Sequence, residues 1–255
     1  MRILVIPDVQ VKPGQDFLFL RWVGQYAVDK KPDVIVQIGD FADMPSLSSY
    51  DVGKKSFEGR RYTDDVESCH EAMCYLTWPI HQERTRLQQS KRKQWNPRMV
   101  LTLGNHENRI NKAIENDRKL EGLISIDDLE YERYGWEVIP FLEPVTIGGI
   151  SFCHYFVSGV MGKPVTSARA LVMKKHMSCV MGHVQASEID MSQRRADGTP
   201  LLGLFAGIYT PYDEDYLNPQ SNKQHRQIWM LQEVEDGFAY PQPISIEFLR
   251  NKYGR

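Results

Sequence analysis

The chain is predicted to adopt an α/β fold, a four-layer α-β-β-α sandwich of two packed mixed sheets, and three of its features lead to that expectation. Short continuous apolar runs alternate with helical patterns through the first half, as in buried strands joined by crossover helices. The second half carries closely spaced strand signals separated by Pro and Gly-Gly, the punctuation of antiparallel pairing. A length of 255 residues suffices for one sizeable core, and nothing reads as an interdomain linker, so residues 1–255 are expected to form one domain.

Ile3 to Ile6 is an apolar run stopped by Pro7, a strand that delivers Asp8 to a loop. Phe17, Leu20, Val23, Gly24 and Ala27 then fall at helical spacing, and Pro32-Asp33 introduces a second buried run, Val34 to Ile38, ending at Gly39-Asp40. Thr63-Asp64-Asp65 offers an N-cap and acidic first turn for a long helix to about Arg92, with a kink expected at Pro79. A third buried run, Met99 to Leu103, ends at Gly104-Asn105-His106. The polar, Arg- and Glu-rich segment from Glu107 to about Tyr134 reads as helix. Strands are expected at Val138-Ile139, Val145 to Ile147, Ile150 to His154, Cys179 to Met181, Leu201 to Ala206, Ile228 to Val234 and Ile244 to Phe248, with a helix over Ala168 to His176.

A formal net charge of −2 and a pI near 6.4 give no whole-molecule attraction to nucleic acid. Four cysteines without a Cys-x-x-Cys pair, and no signal-peptide pattern ahead of the first strand, point to a reducing cytoplasmic setting. No apolar stretch approaches the length of a membrane span.

Five strand ends carry residues of metal-ligand type: Asp8, Asp40, Asn105 with His106, His154, and His183 after Gly182. In open α/β sheets ligands bind outside the carboxyl ends of strands, where the first three of these fall. A lone Asp after a strand is usually a turn former or helix cap, but five such sites in order argue together for one centre. Read as Pro7-Asp8-Val9-Gln10, Gly39-Asp40-Phe41-Ala42-Asp43, Gly104-Asn105-His106-Glu107, Cys153-His154 and Gly182-His183-Val184-Gln185, they resemble the calcineurin-like metallophosphoesterases of bacteriophages and bacteria. That family's pattern opens with Asp-x-His and closes with Gly-His-x-His. Here Gln10 and Gln185 stand where the two histidines are expected, and in the family both serve the same one of two metals. A Gly usually follows the histidine matched by His154, and this chain has Tyr155.

The resemblance implies a divalent-metal-dependent phosphoesterase that hydrolyses its ester by metal-activated water. One ion would be held by Asp40, Asn105, His154 and His183, the other by Asp8, Asp40, Gln10 and Gln185, with Asp40 bridging. A carboxylate can touch two cations about 3.5–4 Å apart, whereas an imidazole normally serves one. Gln offers a neutral, hard amide oxygen, so Mn²⁺ or Mg²⁺ is expected rather than Zn²⁺. Alternatively the two glutamines only hydrogen-bond to loops. The resemblance gives His106 contact with the phosphate and protonation of the leaving oxygen, a role suited to an imidazole near neutral pH. Asp43 is expected to orient a ligand or a turn, and Arg109 to be solvated or ion-paired. The Arg-Gly found after the Asp43 position in protein-phosphatase relatives is replaced by Met44-Pro45, which disfavours a phosphoprotein substrate.

An insertion at about 44–98, longer than a minimal member of the family needs, ends in Arg84, Arg86, Lys91, Arg92, Lys93, Trp95 and Arg98, either a solvated helix end or a substrate platform. The stretch Tyr209 to Tyr216, with acids between aromatics, suits a smaller pocket. The favoured substrate is a nucleotide or nucleic-acid phosphodiester. One alternative is a phosphomonoesterase acting on a small metabolite or nucleotide; another is a non-catalytic binding module on a decayed scaffold, which the retained His106 argues against. A phage-encoded member would act in the host cytoplasm.

Overall fold

The computed structural model describes residues 1–213 and 224–254. The first half is a parallel β-α-β series: β1 (Ile3–Ile6), α1 (Leu18–Lys30), β2 (Val34–Gln37), α2 (Tyr62–Gln89), β3 (Arg98–Thr102), α3 (Arg109–Asn116) and β4 (Glu137–Ile139). It is followed by β5 (Val145–Ile147), β6 (Ile150–Cys153), the small ribbon β7 (Val157–Ser158) and β8 (Lys163–Pro164), α4 (Ala168–Lys175), β9 (Cys179–Met181), β10 (Ser187–Asp190) and β11 (Gly203–Ala206). The long hairpin β12 (Gln227–Glu235) and β13 (Phe238–Ser245) precedes α5 (Ile246–Tyr253).

Two mixed sheets result, as predicted. One has the order β13-β12-β1-β2-β3-β4, with β1 to β4 parallel and β12 and β13 antiparallel. The other runs β10-β11-β9-β6-β5, with a parallel centre and antiparallel edges. Side-chain alternation builds the layers. Ile3, Val5, Val34, Val36 and Val100 enter the seam between the sheets and meet Ile150, Phe152, Val180 and Leu204. Leu4, Ile6 and Ile35 face the other way, onto Leu20, Val23, Met73 and Leu76 of α1 and α2. On the outer face of the second sheet, Cys153, Cys179, Met181 and Phe205 pack against Ala168 and Leu171 of α4. Cys153 therefore points away from the residue that follows it, His154, as strand alternation requires.

Four expectations are corrected. The segment from Glu107 to Tyr134 is helical only over α3; Asp117 and Ser125 then cap separate short turns with their own side chains, and in α3 only Ile110 is buried. With no continuous apolar stripe to bury, local side-chain hydrogen bonds prevail over helix. Helix α2 starts at Tyr62, one residue before the expected cap Thr63. Strand β4 joins the first sheet in parallel beside β3 instead of opening the antiparallel half. Ile244 to Phe248 spans a strand end and a helix start, because the Ser245 hydroxyl accepts from Phe248 N and caps α5.

Pro79 lies inside the unbroken α2, and its ring faces Gly24 of α1. A Cβ at position 24 would stand 2.4 Å from the Leu76 carbonyl oxygen and 2.9 Å from Pro79 Cγ, so the two helices cross at a distance only Gly permits. Gly24→Ala is expected to destabilise the fold by about 1–3 kcal/mol through this overpacking. Thermal unfolding checks it: an unchanged Tm would mean that α1 shifts without cost.

A candidate metal centre between the two sheets

Loops leaving the carboxyl ends of strands in both sheets converge on one point. Asp8 follows β1 and is fully buried, with its carboxylate accepting from His183 N at 3.0 and 3.1 Å. Asp40 follows β2. Its Oδ1 accepts from His106 N at 2.9 Å and its Oδ2 lies 3.2 Å from His154 Nε2. Asn105, beyond β3, places Oδ1 3.0 Å from the same His154 Nε2. His183 comes from the loop after β9, and its ring centroid is 5.3 Å from that of His154. Ligand atoms of Asp40, His154 and His183 lie within 4.8 Å of one another. Gln10, Asp40 and His183 all hold left-handed backbone, with φ of 56°, 49° and 64°. Strain of this kind in non-glycine residues is concentrated at functional sites and persists only where surroundings enforce it.

The donor set fits a divalent cation. His154 Nδ1 lies 3.0 Å from the Ile38 carbonyl oxygen, a contact that requires the ring proton there and turns the Nε2 lone pair toward Asp40 and Asn105. Three lone-pair atoms then meet within 3.0–3.2 Å. A proton satisfies this convergence, and a divalent ion does so with twice the charge. Burial would lower the His154 pKa, but Asp40 and Asp8 outweigh it and raise it to about 9. Burial pushes the Asp8 carboxyl up to about 7, with Asp40 adding repulsion. Asp40 itself is held below the usual carboxylate range, because His106 and His154 overcome its burial. His183 is driven down to about 4 by burial and by the charge of His154, which favours the neutral, ligating form.

His106 sits beside this cluster. Its Nδ1 is 2.6 Å from Asp43 Oδ1, and its Nε2 is 3.6 Å from Asp40 Oδ2 and 3.4 Å from Arg109 Nη2. Burial opposes protonation, yet Asp40 and Asp43 together raise its pKa. Asp43, expected to orient a ligand or a turn, here contacts the His106 imidazole. Arg109 is ion-paired, as expected: Nη1 donates to the Asp43 carbonyl oxygen at 2.6 Å and to Oδ1 at 3.1 Å. Gln10 and Gln185 meet, with Gln185 Nε2 donating to Gln10 Oε1 at 3.4 Å and Gln224 Nε2 donating to Gln185 Oε1 at 2.8 Å.

Two neighbours matter here: Tyr155, which the sequence marked as a departure from the family pattern, and Glu107, to which it gave no role in the site. Tyr155 lies against His183 with ring centroids 4.8 Å apart, and Phe141 packs on its edge. Glu107 is fully buried, and its carboxylate accepts from Asp40 N (3.1 Å), Gly104 N (2.9 Å), Ala42 N (2.9 Å) and the Tyr131 hydroxyl (3.2 Å). It pins the strained turn that presents Asp40. The same turn leaves no room at Gly104, where a Cβ would stand 2.0 Å from Asp40 Oδ1. The position of Glu107, directly after Gly-Asn-His, was the available signal. In Glu107→Gln an amide nitrogen faces N–H donors, at a cost of about 1–3 kcal/mol for groups left unpaired. Its affinity for Mn²⁺ by calorimetry is expected to fall about 10–100-fold; unaltered affinity would confine Glu107 to folding.

Other expected contributors lie elsewhere. Arg98 opens β3 and pairs with Glu137 at the start of β4, at the end of these strands opposite the centre, and Trp95 donates to the Pro32 carbonyl. The basic stretch is therefore remote from the centre, a solvated helix end and not its platform. Of Tyr209 to Tyr216, Tyr209 is buried with its hydroxyl donating to Phe19 O, Tyr212 is tied to Asp16, and Asp213 pairs with Arg226. Residues 214–216 lie outside the described residues.

A layered sandwich whose seam gathers Asp40, His154 and His183, a group able to hold a divalent ion, fits a metal-dependent phosphoesterase, a hydrolase of ester bonds. Residues 1–196 match the profile of the calcineurin-like phosphoesterases, and the chain belongs to that family. It is also similar to the gene 54 protein of Mycobacterium phage L5, at 27% identity over 195 residues that cover 74% of this chain and 70% of that protein. Among the described residues no helix is long and apolar enough to cross a membrane.

Proposed function

We propose that the chain, as one domain, hydrolyses phosphodiesters of nucleotides or nucleic acid with Mn²⁺ or Mg²⁺ as cofactor. The observation that carries this reading is a cleft of about 700 Å³ that runs from Asn105, His106 and His183 onto Lys12, Lys54 and Arg60. A monoester or a simple diester needs only the metal ligands and His106, whereas a nucleic-acid diester continues to neighbouring phosphates and finds cationic walls for them here. Similarity to a phage protein supports action in a host cytoplasm.

Asp40, Asn105, His154 and His183 are the ligands of the tighter ion. Asp8 with Asp40, Gln10 and Gln185 forms a weaker, harder position, because an ion there competes with the amide contacts among Gln10, Gln185 and Gln224. A bound divalent ion supplies charge against the phosphate oxygens and acidifies water. His106 holds the proton for the leaving oxygen: Asp43 fixes Nδ1, and Nε2 remains to give its proton up. A ligand set of this kind beside an imidazole held by Asp43 speaks against a non-catalytic module.

Turnover of bis-p-nitrophenyl phosphate and p-nitrophenyl phosphate across Mg²⁺, Mn²⁺, Ni²⁺ and Zn²⁺ tests the reading. The expected result is diester hydrolysis that is greatest with Mn²⁺ and lost on chelation; preference for the monoester would install the phosphomonoesterase instead. Calorimetry with Mn²⁺ should show one tight site, and Gln10→His with Gln185→His should add a second, with each single change doing less because both residues serve one ion. No tighter binding in the double variant would mean that the two positions do not meet a cation.

A further inference from the structure

Between Pro45 and Arg60, ahead of α2, the chain makes a loop that lines the cleft, and none of the metal chemistry uses this part of it. Its side chains are arranged around Asp51. Lys54 Nζ donates to Asp51 Oδ1 at 2.7 Å and Arg60 Nη1 donates to Asp51 Oδ2 at 2.9 Å, so one carboxylate is shared by two cations. Arg60 is held in place: Nη1 also donates to the Pro45 carbonyl oxygen at 3.0 Å, and the guanidinium lies over the Phe57 ring at 5.5 Å. Its Nε and Nη2 have no hydrogen-bond partner among the described residues. A guanidinium fixed at one nitrogen and open at the others is a pre-organised receptor for a phosphate oxygen pair. Lys54 is more than half exposed, and its ammonium would reach the same anion by exchanging its contact with Asp51. Beside them Tyr50, 85% exposed, stands at the rim of the cleft.

The charge balance points the same way. Among the described residues that line this wall, Lys54 and Arg60 stand against one carboxylate, Asp51, which they share. An excess of positive charge therefore extends past the metal centre along the wall of the cleft. A solitary phosphate ester bound at the centre would leave this excess unused, whereas a chain with a phosphate on either side of each sugar would engage it. An exposed aromatic next to a cationic track is the arrangement that binds single strands without regard to sequence.

We propose that Tyr50, Lys54 and Arg60 form a second subsite that takes the phosphate and base neighbouring the scissile linkage, so that the substrate is single-stranded polynucleotide. This rests on the phosphodiesterase reading above. Duplex is disfavoured because its bases are stacked on one another and out of reach of Tyr50.

The test compares kcat/KM for a short single-stranded oligothymidylate with kcat/KM for bis-p-nitrophenyl phosphate, in the parent and in Lys54→Ala and Tyr50→Ala, with Mn²⁺ present. Both substitutions fall on exposed side chains, so the fold is kept. The ratio of the two values is expected to drop about tenfold in each variant, through KM for the oligonucleotide. In Lys54→Ala the slope of log kcat/KM against log salt should flatten by about 0.7, the signature of one lost phosphate contact to a single strand, while Tyr50→Ala keeps the parental slope. Lys54→Arg should restore both ratio and slope. An equal fall on both substrates, or an unchanged ratio, overturns the subsite. If the parent cleaves bis-p-nitrophenyl phosphate but not the oligonucleotide, the subsite falls and the phosphodiesterase reading stands. If it cleaves neither with any metal, both fall.

Discussion

Asp40→Asn is expected to lower phosphate-ester turnover by on the order of 10³-fold, since several kcal/mol of charge stabilisation would depend on the ion proposed for it. The substitution preserves shape. Oδ1 can still accept from His106 N, so the turn fixed by Glu107 should survive. What changes is the atom 3.2 Å from His154 Nε2: an amide nitrogen there would donate to that lone pair and occupy the imidazole's ligating position. Loss of charge and loss of a neighbouring ligand thus arise from one atom. Elemental analysis should show the ion missing while thermal unfolding in the presence of chelator matches the parent. Full metal content with full activity would remove Asp40 from the centre.

The second large effect concerns His106. His106→Asn should slow esters with poor leaving groups about 10²–10⁴-fold and p-nitrophenyl esters far less, because nitrophenolate departs without a proton. Asp43 Oδ1 at 2.6 Å from Nδ1 holds the ring so that proton donation falls to Nε2. The variant should retain its metal, as no ligand is touched. A loss of the same size for both leaving-group classes would reassign His106 to binding phosphate.

Much of this centre was legible in the sequence, for a physical reason. Buried strands of four or five residues appear as predominantly apolar runs, interrupted here only by Gln37 in β2 and by Arg98 and Thr102 in β3, and the first polar residue after each strand lies at the sheet edge. Asp8, Asp40 and Asn105 are placed by that rule alone. What stayed hidden depends on backbone atoms or on partners far along the chain. Glu107 takes its meaning from the N–H groups of Asp40, Ala42 and Gly104, which no side-chain pattern records. The meeting of Gln10 with Gln185 is a contact across 175 positions. β10, Ser187–Asp190, is an edge strand whose residues are half-buried or exposed, so it lacks the apolar run that revealed the others. The stretch after Glu107 misleads in the opposite direction: its residues favour helix one by one, but little of it is buried, and capping residues divide it.

The proposed ligands are drawn from both sheets. Asp8, Asp40 and Asn105 extend from the first, His154 and His183 from the second, and across the rest of the seam the sheets meet largely through apolar side chains that impose little direction. A cation shared by the two sets would act as a rivet. It would set the angle at which one sheet lies on the other and make that alignment conditional on supply of the ion, because binding to the folded chain alone draws the folding equilibrium with it. Where divalent cations are scarce, the chain would lose rigidity along this joint before it lost its secondary structure.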